Sequence, residues 1–243
     1  MNKMQNTQRV ETGGQVIWYN GAVLPAIDPR FFEPDWHESQ GQLRGMAKGR
    51  GNAHFVHANG YDLVLRPFRR GGLVGKINTD AFLRTGAARS RGYLEYALLE
   101  WMHAQGLPVP TPVAARYVPR GLLYRADLVT QQIAGASTLA DRLAQTALPY
   151  DVWSGIGRVV RQMHDLGVHH SDLNCRNILL DAQDKVWLID FDKCWRRPQG
   201  AWQFGNLARL QRSLDKERTK VPALHWATDD WAAFTAGYEA TPS

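Results

Sequence analysis

From Val168 the chain runs Val168-His169-His170-Ser171-Asp172-Leu173-Asn174-Cys175-Arg176-Asn177-Ile178-Leu179-Leu180, and shortly afterwards Trp187-Leu188-Ile189-Asp190-Phe191-Asp192. Two short apolar runs, Ile178-Leu179-Leu180 and Val186-Trp187-Leu188-Ile189, flank the turn residues Asp181-Ala182-Gln183-Asp184. That is the pattern of a β-hairpin. One polar cluster, Asp172 with Asn177, precedes the hairpin; another, Asp190 with Asp192, follows it. Either cluster alone would be an ordinary turn with solvated side chains. Both in this order, joined by a hairpin, point to chemistry.

The segment resembles the protein-kinase-like superfamily, in which a catalytic loop H-R-D-x-x-x-x-N precedes a D-F-G metal motif. His170, Asp172 and Asn177 keep the loop's spacing, with Ser171 where arginine is common, and Asp190-Phe191-Asp192 stands in place of D-F-G. The resemblance implies transfer of the γ-phosphate of ATP to a hydroxyl. Such a reaction asks the protein for positioning and charge neutralisation. Asp172 is expected to orient the acceptor hydroxyl and take its proton. Asp190 is expected to coordinate Mg²⁺ and Asn177 a second Mg²⁺ through its amide oxygen, since hard cations favour a few oxygen ligands plus phosphate. His170 reads as a scaffold for the loop. A metal cluster with His164 and His169 is not favoured, because adjacent histidines diverge and the cysteines complete no set.

The nucleotide half carries weaker signals. Gly49-Arg50-Gly51, followed by Phe55, resembles a phosphate-covering glycine loop, and a plain hairpin turn fits it equally. Residues 89–105 read as a helix with Leu94, Ala97, Leu98, Trp101 and Met102 in one apolar stripe. Glu95, on the flank of that stripe, resembles the glutamate that pairs with the nucleotide-holding lysine of kinases; a surface pair with Arg91 is the plain alternative. Where V-A-I-K would stand the chain has Leu63-Val64-Leu65-Arg66. Either Arg66 or Lys76 holds the phosphates, with Arg66 preferred, and the two residue types are not interchangeable in such geometry. Asp192 replaces the glycine of D-F-G and no A-P-E follows, which argues against activation-segment switching and against a protein substrate.

The coarse pattern is α+β. Strands gather between Gly41 and Phe68 and again from Tyr124 to Ile133. After a polar linker the chain turns helical, with Asp151 expected to cap a helix bearing Val152, Ile156, Val159, Val160 and Met163, and a last set of helices starting near Asn206. The expected architecture is a bilobal protein-kinase-like fold: a small β-rich N-lobe with one long helix over residues 1–130, a hinge at 131–137, and a larger helical C-lobe over 138–243.

Composition bounds the partners. A formal charge of +6 and a pI near 9.5 favour anionic ones, although they also serve plain solubility. No arginine-rich tail, zinc finger or stacking motif accompanies the charge, so nucleic acid is not expected. Two cysteines make no disulfide framework and fit a reducing cytoplasm. Neither a transmembrane run nor the h-region of a signal peptide is found, so a cytoplasmic protein is expected, with the inner face of the membrane open to it.

The resemblance extends further. Gly49-Arg50-Gly51, Leu65-Arg66-Pro67-Phe68-Arg69-Arg70-Gly71-Gly72-Leu73, Gly106-Leu107-Pro108-Val109-Pro110, Asp172-Leu173-Asn174 and Asn206-Leu207-Ala208-Arg209-Leu210 resemble the 3-deoxy-D-manno-octulosonic acid (Kdo) kinases, within the lipopolysaccharide kinases of Gram-negative bacteria. This implies phosphorylation of the 4-hydroxyl of a Kdo sugar on a lipid A precursor at an anionic membrane surface, with no obligate protein partner. Kdo carries a carboxylate and lipid A carries phosphates, so the acceptor site should be cationic. Arg69 and Arg70, with Lys76, are candidates from the first half. In the second, Arg209, Arg212 and Lys216 line one helix face while Leu207, Leu210 and Leu214 form an apolar stripe; a merely solvated helix reads the same way. The rivals are a small-molecule kinase of the aminoglycoside or choline type and a non-catalytic kinase-fold binding protein.

Overall fold

The computed structural model describes residues 6–46, 53–68, 82–84 and 86–240. Gly49, Gly51, Arg69, Arg70 and Lys76 lie outside the described residues. The chain groups into two compact units, Met1–Trp101 with Thr111–Gln132, and Met102–Pro110 with Ile133–Ser243. Residues 102–110 group with the second unit because Pro108 O accepts from Leu188 N at 3.0 Å and Gly106 O from Gln162 Nε2 at 3.4 Å.

The first unit is built on an antiparallel sheet. Its elements are β1 (Thr7–Thr12), β2 (Gln15–Asn20), a 3-10 turn at Pro29–Phe32, α1 (Pro34–Ser39), β3 (Leu43–Met46), β4 (His54–Ala58), β5 (Tyr61–Pro67), β6 (Phe82–Leu83), a 3-10 turn at Ala87–Arg89, α2 (Arg91–Ala104), β7 (Pro112–Arg120) and β8 (Leu123–Gln131). The strand order is β1-β2-β7-β8-β5-β4-β3, with β6 on β8. Alternation along the strands gives the sheet two apolar faces. One face packs Ile17, Leu63, Leu65 and Val129 against Phe31 and Phe32. Arg116 anchors that cover: its Nε donates to Asp127 at 2.8 Å and its Nη1 to Glu33 at 2.6 Å.

The other face receives α2. The helix spans 91–104 rather than 89–105, and its buried side is not the expected stripe. Gly92, Glu95, Tyr96, Leu99 and Met102 are buried, whereas Leu94 is 52% exposed. The rotation has a physical cause. A Cβ at Gly92 would stand 2.9 Å from Asp127 O, so only glycine lets the helix lie this close to β8, and Glu95 is turned inward by a charged partner described below.

The second unit contains β9 (Ser137–Thr138), α3 (Leu139–Leu143), α4 (Tyr150–Asp165), β10 (Val168–His169), β11 (Ile178–Leu180), β12 (Val186–Leu188), β13 (Trp195–Arg196), α5 (Trp202–Lys220) and α6 (Thr228–Glu239). The N-cap of α4 is Pro149, not Asp151. Asp151 lies in the first turn instead, where its negative charge meets the positive end of the helix. Trp153, Ile156, Val160 and Met163 are fully buried along α4. Against it α6 packs through glycines: a Cβ at Gly157 would meet Phe234 O at 2.0 Å, and one at Gly237 would meet Ser154 O at 2.0 Å. The β11–β12 hairpin forms as read, pairing Ile178 with Leu188 and Leu180 with Val186. Its turn is held by Asp181, whose carboxylate accepts from Gln183 N, Lys185 N and Trp187 Nε1, each at 3.0 Å. The fold is thus α+β, as expected.

Candidate active site

The loop between β10 and β11 holds His170, Asp172 and Asn177. His170 is fully buried, and burial pushes its imidazole below the usual histidine range, so the ring stays neutral near pH 7. A neutral ring has one donor and one acceptor nitrogen. Here Nδ1 faces the backbone N–H of Asp172 at 3.2 Å and must accept, which leaves Nε2–H to donate to Ile189 O at 3.1 Å. One side chain therefore ties the loop carrying Asp172 to the strand end that leads into Asp190. His170 is the scaffold expected of it.

Asn177 makes the matching tie from the other end of the loop. Its carbonyl accepts from Ile189 N at 3.0 Å, and its Nδ2 donates to the carbonyl of Asp172 at 3.0 Å. Asn174 Nδ2 donates to the same carbonyl at 2.9 Å. With Nδ2 so engaged, the Asn177 amide oxygen is oriented away from that bond and makes no hydrogen bond among the described residues. Asp190 follows Ile189 directly, so both ties end next to it. Its φ of +64° is in the left-handed region, which a non-glycine residue adopts only when its surroundings impose it. Those surroundings are visible: Phe191 is buried and packs on His170 with ring centroids 4.8 Å apart, and Ser171 Oγ donates to Asp192 O at 2.8 Å.

Behind the loop lies α5. Asn206, buried within it, donates to His170 O at 3.0 Å and accepts from His170 N at 3.3 Å. Arg209 Nη1 donates to Asp172 Oδ1 at 2.9 Å. Ser213 Oγ accepts from Cys175 N at 2.9 Å, and Glu217 receives Arg176 at 2.6 Å. Pairing with Arg176 holds the Glu217 carboxyl down at about 2. These residues recur every three or four positions and so share one helix face. Arg209 stands at the edge of that face, and Arg212 and Lys216, three and seven positions on, are exposed together with it along one side of the helix. Leu210 and Leu214 are fully buried as expected, whereas Leu207 is only half-buried. The helix starts at Trp202, four residues ahead of Asn206.

In the first unit, Arg66 on β5 pairs with Glu95 on α2, and the Arg66 guanidinium lies 4.8 Å from the ring centre of Phe68. Glu95 is 3% exposed, so its carboxylate is a buried anion neutralised by Arg66 and not the rim of a surface stripe. Among the described residues no group of three or more His, Cys, Asp or Glu side chains is placed to hold a metal unaided. One carboxylate and one amide oxygen, Asp190 and Asn177, instead fit a hard cation that brings phosphate and water as its remaining ligands. Cys175 is buried, and burial raises its thiol pKa, so it is an inert core residue. Among the described residues no helix is long and apolar enough to cross a membrane.

Known proteins resemble this chain along most of its length. The model of the lipopolysaccharide kinase (Kdo/WaaP) family matches residues 34–238. A protein of Photobacterium profundum named 3-deoxy-D-manno-octulosonic acid kinase is 44% identical over 225 residues, covering 93% of this chain and 95% of its own. Proteins of the same name from Vibrio cholerae and Haemophilus influenzae are each 39% identical, over 222 and 216 residues. They cover 91% and 86% of this chain, and 94% and 89% of their own.

Proposed function

This chain belongs to the lipopolysaccharide kinase (Kdo/WaaP) family, and from that premise we propose that it transfers the γ-phosphoryl group of ATP to the 4-hydroxyl of a Kdo sugar on a lipid A precursor. It is a phosphotransferase acting on a sugar hydroxyl. The observation that carries the reading is the double tie at Ile189, through which His170 and Asn177 bring the Asp172 loop and Asp190 together.

In this reading Asp172 accepts the proton of the acceptor hydroxyl, and its Oδ2, which makes no hydrogen bond among the described residues, is the atom that does so. Asp190 and Asn177 hold Mg²⁺, which when bound with ATP neutralises the charge on the phosphate oxygens. Arg66, fixed by Glu95, meets the nucleotide phosphates; Lys76, Gly49 and Gly51 complete that half. Arg209 and Arg212, on the second unit, receive the anionic acceptor; Arg69 and Arg70 lie outside the described residues. The aminoglycoside alternative gains nothing from the structure, because a polycationic acceptor would meet Arg209 beside Asp172. The protein works at the cytoplasmic face of the inner membrane; its net positive charge and the exposed Trp195 and Phe204 suit an anionic lipid surface.

The direct test is incubation with labelled ATP, Mg²⁺ and a Kdo-bearing lipid A precursor, followed by mapping of the phosphate. Label at the 4-hydroxyl is expected; label on a lipid A glucosamine, or none, would remove the assignment. Asp190→Ala is expected to weaken Mg-ATP binding by on the order of 10- to 100-fold, the loss of a charge-assisted contact, while metal-free ATP binding changes little. Equal ATP affinity with and without Mg²⁺ relative to the parent would take Asp190 out of the metal site.

A further inference from the structure

We propose that Arg209 bridges Asp172 and the acceptor's carboxylate, so that recognition of a negatively charged sugar and placement of the proton acceptor are a single event. This rests on the proposed function and assigns one side chain a specificity role within it.

The Arg209–Asp172 pair is not a structural ion pair by position. Both side chains are about half exposed, at 49% and 59%, and exposed pairs contribute little to stability. Its geometry is nonetheless imposed. Arg209 lies between Asn206 and Ser213 on the helix face that grips the loop, and Asn206 holds both backbone groups of His170, two residues from Asp172. A guanidinium offers five N–H donors in a planar fork. The bond to Asp172 Oδ1 uses Nη1, and Arg209 makes no other hydrogen bond among the described residues. The rest of the fork is available to a second anion.

Electrostatics supplies the reason for such an anion to be the acceptor's own carboxylate. In a Kdo sugar the carboxylate lies close along the carbon chain to the 4-hydroxyl. Delivering that hydroxyl to Asp172 brings two carboxylates near one another, and like charges at such range repel. A cation held between them converts the repulsion into attraction on both sides, and the fork geometry of arginine matches carboxylates on two edges. Arg209 thereby acts as a positioning residue: it touches the acceptor and orients Asp172, and takes no proton itself.

The test pairs the parent enzyme and Arg209→Ala with two acceptors, the Kdo-bearing precursor and the same molecule with its carboxylate converted to a carboxamide. The parent is expected to prefer the carboxylate by about 10- to 100-fold in kcat/KM, the range of charged hydrogen bonds. Arg209→Ala should lose that preference, falling on the carboxylate acceptor and far less on the carboxamide, with KM for ATP within about twofold. Arg209→Lys should recover part of the preference. A purely structural role for Arg209 would lower both acceptors equally and keep the preference, which overturns the inference while leaving the proposed function standing. A tenfold rise in KM for ATP would put the guanidinium on the nucleotide and overturn it too. Absence of turnover by the parent on both acceptors would instead overturn the proposed function, and the inference with it.

Discussion

Asp172→Asn is expected to lower kcat by about a thousandfold, within the range that a positioned proton acceptor contributes, while KM for ATP moves little. The substitution isolates the carboxylate unusually well. What holds the loop together is the backbone of residue 172: its N–H bonds His170 and its carbonyl accepts from Asn174 and Asn177. None of these involves the side chain. Asparagine also keeps an oxygen for the Arg209 guanidinium. Shape, loop geometry and the arginine contact survive; only the capacity to accept the acceptor's proton is lost. Steady-state kinetics on the Kdo-bearing precursor would check this, with circular dichroism to confirm the fold. Turnover within about tenfold of the parent would mean that Asp172 does not serve as the base.

The second large effect is on stability. Gly157→Ala should destabilise the second unit by about 3 kcal/mol, at the upper end of overpacking costs, which for a chain of this size lowers the melting temperature by roughly 6–12 °C. Two opposing terms decide the sign. Alanine gains about 1 kcal/mol over glycine in helix propensity. Against that, the new methyl would stand 2.0 Å from Phe234 O and 2.7 Å from Tyr238 N, and both are backbone atoms of a packed helix. No rotamer change can relieve such a contact; α6 must move away from α4 and open the interface that buries Trp153 and Phe234. Thermal unfolding would show it, and Gly155→Ala is the control, since a Cβ there meets its nearest neighbour only at 3.6 Å, in the side chain of Arg158. A Gly157→Ala protein as stable as the parent would show that the two helices can separate at little cost.

The loop of Asp172 and Asn177 and the hairpin after it were legible because their information is local. Asp172, Asn177 and Asp190 sit at fixed spacing around a two-strand turn, and the apolar runs on either side have the period of strands. The pairing of Glu95 was legible through the family resemblance, and Arg66 is its partner; which side of α2 is buried was harder to read. An apolar stripe through Leu94 and Leu98 looks like the buried side of α2 until Gly92 is seen to set the approach to β8 and Arg66, 29 residues earlier, neutralises the glutamate. The role of α5 was the least legible. Polar residues on a helix read as its solvent face, and Asn206, Arg209 and Ser213 reach the loop through contacts 36 to 38 residues away. Asn206 did carry a signal, as an amide set one turn ahead of the buried Leu210. The N-cap of α4 misled for a simpler reason: Asp151 is good capping chemistry placed two residues too late, after Pro149 has already set the entry into the helix.

The attachment of α5 to residues 170, 172, 175 and 176 has a consequence for motion. Loops that carry reacting groups usually open on their own, at a small fraction of the free energy of unfolding. This one cannot fluctuate freely without first unseating a nineteen-residue helix anchored by Leu210 and Leu214. Loop and helix are therefore expected to open as one cooperative unit, with the backbone amides of Asp172 and Cys175 exchanging as slowly as the helix behind them in a hydrogen-exchange measurement.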